Sequence, residues 1–227
     1  MSAGIAAEPA WKRPLDLLLA SAALALCCPV MLCAAVAVAV SSRGPVMFRQ
    51  RRVGRGGREF TLLKFRTMRV APAQTQAGPA AAEQKRITRA GRLLRASKID
   101  ELPQLWNVLW GEMSMVGPRP ELPRYVRCYP EQYRRILSVR PGITDLASIV
   151  YRNEGELLAA AENPEDKYVS EVLPVKLRLN LEYVTRPGLL RDLRLLWLTA
   201  GKLLRLPTRR DAVGAPGRAR DDRQKRG

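Results

Sequence analysis

Two adjacent carboxylates, Asp100 and Glu101, stand just ahead of Pro103 in a segment that runs from Arg95 through Lys98 to Asn107. Inside a helix, proline is tolerated only in the first turn, where its missing N–H would have had no partner. The pair is therefore expected at a helix start, beside the positive end of the macrodipole. Carboxylates in that setting stay ionised at neutral pH, which suits a nucleophile or a ligand to a hard cation such as Mg²⁺ rather than a general acid. Acidic residues in a first turn also serve as helix caps, and for the pair alone capping is the simpler account. The surrounding cations change the balance. Lys64 and Arg66 end a predicted hairpin, Arg95 lies one turn before Asp100, and Arg119 is fixed between Pro118 and Pro120. Arginine clusters grip phosphate oxygens through planar, bidentate contacts. Two carboxylates, a divalent cation and several cationic side chains together point to phosphoryl transfer.

Composition narrows the chemistry further. The 227 residues contain no histidine, which excludes an imidazole base, a serine–histidine triad and imidazole-bound zinc. Cys27, Cys28 and Cys33 fall in one apolar stretch and Cys128 stands apart, a pattern of reduced thiols rather than of a metal or disulfide framework. The net charge of +18 calls for a polyanionic neighbour, either anionic lipid or nucleic acid.

Residues 17–40 favour lipid. Only Ser21 and Pro29 interrupt 24 otherwise apolar positions, enough to reach across a bilayer core of about 20 helical residues. Lys12 and Arg13 precede the stretch, and Arg43, Arg49, Arg51, Arg52 and Arg55 follow it. Lys and Arg mark the cytoplasmic side, and here both flanks carry the mark. A helix bent at Pro29 that dips in and returns to the same face satisfies that; a signal-anchor helix with a tolerated proline is the alternative.

The elements that must position the charges follow from pattern. Residues 45–68 read as a hairpin around Gly54-Arg55-Gly56-Gly57. Residues 70–82 are small and proline-containing, a loop that serves as a spacer or a lid. Helices are expected over residues 83–94, from Asp100 to a stop at Gly111, over 123–137, and through much of 165–206. In residues 189–206, Arg191, Arg194, Lys202 and Arg205 form one stripe against Leu190, Leu193, Trp197 and Leu204. That pattern fits either the membrane interface or a core helix with a solvated edge. The fold class is α+β and mostly α-helical: a re-entrant membrane helix, a small β-hairpin and interfacial amphipathic helices. The divisions are an anchor in residues 1–42, a catalytic domain in 43–206 and a basic, disordered tail in 207–227.

The segments KRPLDLLLA, FTLLKFRTM, KIDELPQLWNVLWGEMSMVGPRPE and RPGIT together resemble the bacterial sugar transferases. These are the monotopic polyprenyl-phosphate phosphoglycosyl transferases, here resembling the minimal catalytic form. The resemblance implies transfer of a sugar 1-phosphate from a UDP-sugar to undecaprenyl phosphate, with release of UMP, at the start of surface-glycan assembly. It implies Asp100 as the nucleophile, Glu101 as its Mg²⁺-binding or orienting partner, and phosphate binding by Lys64, Arg66, Arg95 and Arg119. It also implies a monotopic protein of the bacterial inner membrane with its catalytic domain facing the cytoplasm, and leaves dimerisation open. The charge and the anchor add contact with anionic lipid, and the lack of a basic helix interleaved with aromatic residues argues against a nucleic-acid partner. The chain departs from the pattern at Cys28-Pro29, where the family often has Ser-Pro, and after Thr144, where Asp145 stands in place of a frequent glycine. A non-catalytic scaffold and a glycosyltransferase releasing UDP are the alternatives.

Overall fold

The computed structural model describes residues 8–70, 86–151, 154–159 and 161–203. The expected loop beyond residue 70, the basic tail and the end of the amphipathic stretch fall outside the described residues.

Helix α1, Lys12–Ser41, is the one described helix long and apolar enough to cross a membrane. At 1.5 Å per residue its 30 residues span roughly 45 Å. Pro29 lies inside α1, which continues through it as one element. A single proline removes one hydrogen bond and leaves the other turns of the helix able to form. Lys12, Asp16, Ala20, Ala34 and Val38 are the buried positions, at spacings near whole turns, so one face of α1 meets the domain close to both of its ends. Leu18, Leu26, Leu32, Val36 and Val40 point outward.

The hairpin forms as expected from β1 (Met47–Val53) and β2 (Glu59–Phe65), with Phe48 opposite Lys64. Its turn needs positive φ at Gly56 and Gly57 (67° and 78°), which glycine adopts without strain. Phe60 and Leu62 of β2 join Ala20 of α1 and Leu105, Val108 and Met113 in one core cluster. Helix α2 (Arg89–Ala96) starts later than expected, because Ile87 pairs with Met68 and the Thr88 hydroxyl caps the helix by accepting from the Gly91 N–H at 2.9 Å. Residues 99–101 form a 3₁₀ turn, and α3 (Gln104–Trp110) follows Pro103 and ends at Gly111 with φ 86°.

A second, parallel pair was not visible in the sequence: β3 (Ser114–Val116) beside β4 (Gly142–Thr144). Here the Gly-Pro-Arg-Pro and Arg-Pro-Gly-Ile-Thr segments meet. A side chain on Gly142 would lie 2.0 Å from the Gly117 nitrogen, so both positions must be bare. The helix expected over 123–137 is two, α4 (Pro123–Cys128) and α5 (Pro130–Ile136), because Pro130 ends one and opens the next. Then come α6 (Leu146–Val150), α7 (Glu154–Ala159), α8 (Pro164–Lys167), a π-turn at Tyr168–Val172, and α9 (Leu173–Thr185). Arg186-Pro187-Gly188 separates α9 from α10 (Leu189–Leu203). On α10, Asp192 and Leu195 are buried, while Leu190, Leu193 and Trp197 face outward. The architecture is α+β and mostly helical.

Candidate active site

The site is assembled from three short stretches. Strand β2 contributes Lys64, the 3₁₀ turn contributes Asp100 and Glu101, and the loop after β3 contributes Arg119. Asn107, fully buried, joins the first two: its side chain accepts from the Leu63 N–H at 3.1 Å and donates to the Thr61 carbonyl at 2.8 Å. It thereby fixes the turn that precedes α3 against the strand that carries Lys64. The Arg119 backbone N–H donates to Asp145 Oδ2 at 3.1 Å, and Asp145 Oδ1 accepts from Ser148 N–H at 2.6 Å. One carboxylate thus caps α6 and holds the loop that displays Arg119.

Glu101 is spent on cations. Its Oε1 accepts from Lys64 Nζ at 2.9 Å and from Arg119 Nη2 at 2.6 Å, and its Oε2 accepts from Arg119 Nη1 at 3.2 Å. The bidentate arginine and the lysine outweigh burial and hold the carboxyl well below the usual glutamate range. The same ion pair raises Arg119. Lys64 is pushed down to about 8, by burial first and then by the neighbouring Arg119 charge.

Asp100 is the opposite case. It is buried, yet its Oδ1 has no hydrogen-bond partner among the described residues. Burial first and the Glu101 charge second push its pKa up, against the pull of Lys64, Lys98 and Arg95. The two carboxylates therefore differ, whereas the sequence suggested one shared character. Lys98, two residues upstream, has φ 60°, the left-handed conformation that a side chain disfavours. Strain of this kind clusters at functional sites because the surrounding packing over-determines it.

The remaining candidate cations divide. Arg95 is exposed on α2, with Nε donating to Thr67 Oγ1 at 2.8 Å, near enough to act on Asp100 through its charge. Arg66 is anchored at the carboxyl end of α1, where a cation offsets the helix dipole: Nη2 donates to the Ser42 carbonyl at 2.6 Å, while Nε and Nη1 are buried without a partner among the described residues. Sequence reasoning missed Asn107 and the structural part played by Asp145, and it missed Gln104, buried at 1 % exposure with neither amide atom partnered among the described residues. A polar residue on the inner side of an otherwise apolar helix was the available signal for Asn107 and Gln104.

No group of three or more His, Cys, Asp and Glu side chains able to cage a metal occurs among the described residues. The Asp100 carboxylate, without a hydrogen-bond partner at Oδ1, suits a Mg²⁺ ion of the other kind, one held by one or two carboxylates and completed by substrate phosphates and water.

The pattern for the bacterial sugar transferase family matches residues 7–206. The chain is 42% identical over 194 residues to a UDP-glucose:undecaprenyl-phosphate glucose-1-phosphate transferase of Xanthomonas campestris pv. campestris, covering 83% of this chain and 38% of that one. It is 37% identical to the like-named protein of Caulobacter vibrioides, covering 85% and 69%. It is also 45% identical over 145 residues to a UDP-N-acetylgalactosamine-undecaprenyl-phosphate N-acetylgalactosaminephosphotransferase of Aeromonas hydrophila, covering 62% and 34%. The chain thus spans about a third of the length of two of these relatives and about two thirds of the other.

Proposed function

The chain belongs to the bacterial sugar transferase family, and on that premise we propose that it transfers a sugar 1-phosphate from a UDP-sugar to undecaprenyl phosphate, releasing UMP. The observation that carries the reading is the inequality of the two carboxylates. Glu101 is locked to Arg119 and Lys64, and Asp100 beside it keeps an unpartnered oxygen. A nucleophile needs a free lone pair, and its partner needs to keep cations in place.

In the first step an Asp100 oxygen attacks the phosphorus bonded to the sugar. The bond from that phosphorus to the bridging oxygen breaks, UMP departs with the electron pair, and an aspartyl phosphosugar remains. In the second step a phosphate oxygen of undecaprenyl phosphate attacks the same phosphorus and returns Asp100 to a carboxylate. Splitting one transfer between two anions into two displacements lowers each barrier. Arg119 and Lys64 neutralise the charge that builds on the phosphoryl oxygens, and Glu101 orients both. Asp100, through the carboxylate oxygen that does not attack, would help hold Mg²⁺, and Glu101 keeps Arg119 and Lys64 beside it. When bound, that ion supplies Lewis-acid stabilisation of the leaving phosphate.

We further propose that the protein sits on the cytoplasmic face of the inner membrane, with both ends of α1 on the same side. Support comes from the helix contacts. Ala20 packs against the core around α3, Ala34 and Val38 pack against Phe65 and Leu94, and Lys12 pairs with Asp192. A helix crossing the bilayer would leave one end far from the domain; this one touches the domain near both. The outward apolar residues of α1 and of α10 then meet lipid, and the +18 charge meets anionic headgroups.

The test is nucleotide release by the protein in lipid nanodiscs with Mg²⁺, undecaprenyl phosphate and a panel of UDP-sugars. UMP is the expected product. UDP would mean sugar-only transfer, and no product with any donor would favour a scaffold. The panel is needed because the relatives carry glucose in some cases and N-acetylgalactosamine in another.

A further inference from the structure

A cleft of about 440 Å³ runs away from the site. At one end stand Lys98, Glu101 and Arg119; beyond them the walls are Leu102 and Leu105 of α3, Met115 of β3, Ile143 of β4 and Leu196 of α10. The volume lies within the range of small-molecule sites. Its charged side chains are those three at the mouth, with Glu101 and Arg119 paired to each other, and its remaining polar lining is three hydroxyl residues. Two of these, Thr144 and Thr199, bond to each other at 2.5 Å across the wall.

We propose that this cleft binds the phosphate-proximal part of the acceptor's isoprenoid chain, with the lipid phosphate among the cations at its mouth. The inference rests on the transferase reading, which needs an acceptor but does not say where its chain lies. Three observations select a lipid phosphate over the nucleotide donor. The walls are apolar, whereas a uridine, a diphosphate and a sugar each require hydrogen-bond partners along their length. The charge is concentrated at one end, matching a molecule with an anionic head and a hydrocarbon tail. The cleft is also bounded by α1 through Ala23 and by α10 through Leu196 and Ala200, and these helices carry the exposed apolar residues Leu18, Leu26, Leu193 and Trp197. A lipid could pass from the bilayer into the cleft along apolar surface.

Two substitutions on different walls test this: Ala200→Trp on the exposed side of α10 and Ser148→Phe on α6. The first readout is binding of radiolabelled undecaprenyl phosphate to full-length protein in nanodiscs without donor. Both variants are expected to weaken it about tenfold or more, the effect of overfilling a packed site. The second readout is the single-turnover release of UMP without acceptor, which reports on the donor site. The inference predicts that the variants' defect falls on the lipid and on the acceptor KM rather than on this burst. Unchanged lipid binding in both variants overturns it, and so does a lost burst with unchanged lipid binding, which would assign the cleft to the donor. A wild-type protein that binds the lipid through this cleft but releases no UMP would instead sink the transferase reading and leave the cleft assignment standing.

Discussion

Arg119 and Glu121 are two residues apart and serve two buried charge clusters that differ in one decisive respect. Glu121 accepts from Arg52 at 3.2 Å and from the Tyr168 hydroxyl at 2.7 Å, and Lys176 beside Tyr168 pairs with Glu154 at 2.8 Å. Two cations there meet two carboxylates. Around Arg119 the accounting is uneven: Lys64, Lys98, Arg95 and Arg119 stand around three carboxylates, Asp100, Glu101 and Asp145, and one Asp100 oxygen is left without a partner. A balanced, fully bonded cluster holds a fold together. A cluster with surplus positive charge and an unused carboxylate oxygen is prepared for an anion. Burial and charge alone do not separate the two; stoichiometry and satisfaction do.

The most severe way to break the contrast is Asp100→Asn, which removes the proposed nucleophile and relieves a buried carboxylate. UMP release is expected to fall by about 10⁴-fold or more, with thermal stability kept or raised. Retained turnover would show that the unpartnered oxygen is not the reacting group.

Parallel substitution of the two arginines comes next. Arg119→Ala is expected to lower kcat/KM by about 10²–10³-fold. Arg52→Ala is expected to cost about 3 kcal/mol of stability, because Glu121 loses its cation, while leaving the KM of the folded fraction unchanged. Denaturant melts and steady-state kinetics on both proteins decide it; an interchange of the two phenotypes would reverse the assignment. A gentler version is Tyr168→Phe, which removes one hydrogen bond to Glu121 and is expected to cost about 1–3 kcal/mol without a kinetic effect.

The smallest effect is in pH dependence. With Lys64 lowered to about 8 from 10.5, the unfolded chain binds more protons between those values. The contribution of this residue therefore makes the fold more stable as pH rises through that window. Loss of its charge has the opposite effect on catalysis, so the kcat/KM profile is expected to bend downward near pH 8. Lys64→Arg, which stays charged, should remove that alkaline limb. The raised Asp100 places the acid limb above the ordinary aspartate range. An alkaline limb unchanged in Lys64→Arg would assign it to another group.

What could be read from the sequence was what is local. The glycines of the hairpin turn, Pro103 at the start of α3 and Gly111 at its end each dictate backbone geometry where they stand. The Asp100–Glu101 pair and Arg119 between its prolines announced themselves through residue type. The β3–β4 pairing did not, since three-residue strands carry no period and their meeting depends on Gly117 and Gly142 having no side chains. Nor did the Glu121 cluster, whose members at 52, 121, 154, 168 and 176 share no spacing. Arg66 looked like its neighbour Lys64, yet the chain leaves β2 between them and carries Arg66 to the end of α1. The inequality of Asp100 and Glu101 was also invisible, because it depends on which oxygen Arg119 reaches.

The account stands most directly on a covalent intermediate at Asp100. Protein incubated with the active UDP-sugar and Mg²⁺, without acceptor, should gain the mass of one phosphosugar on the peptide containing Asp100. The mass should disappear when undecaprenyl phosphate is added, and Asp100→Asn should never acquire it. An unmodified protein that nonetheless releases UMP only when the lipid is present would mean direct transfer between the substrates and would contradict the nucleophilic role given to Asp100.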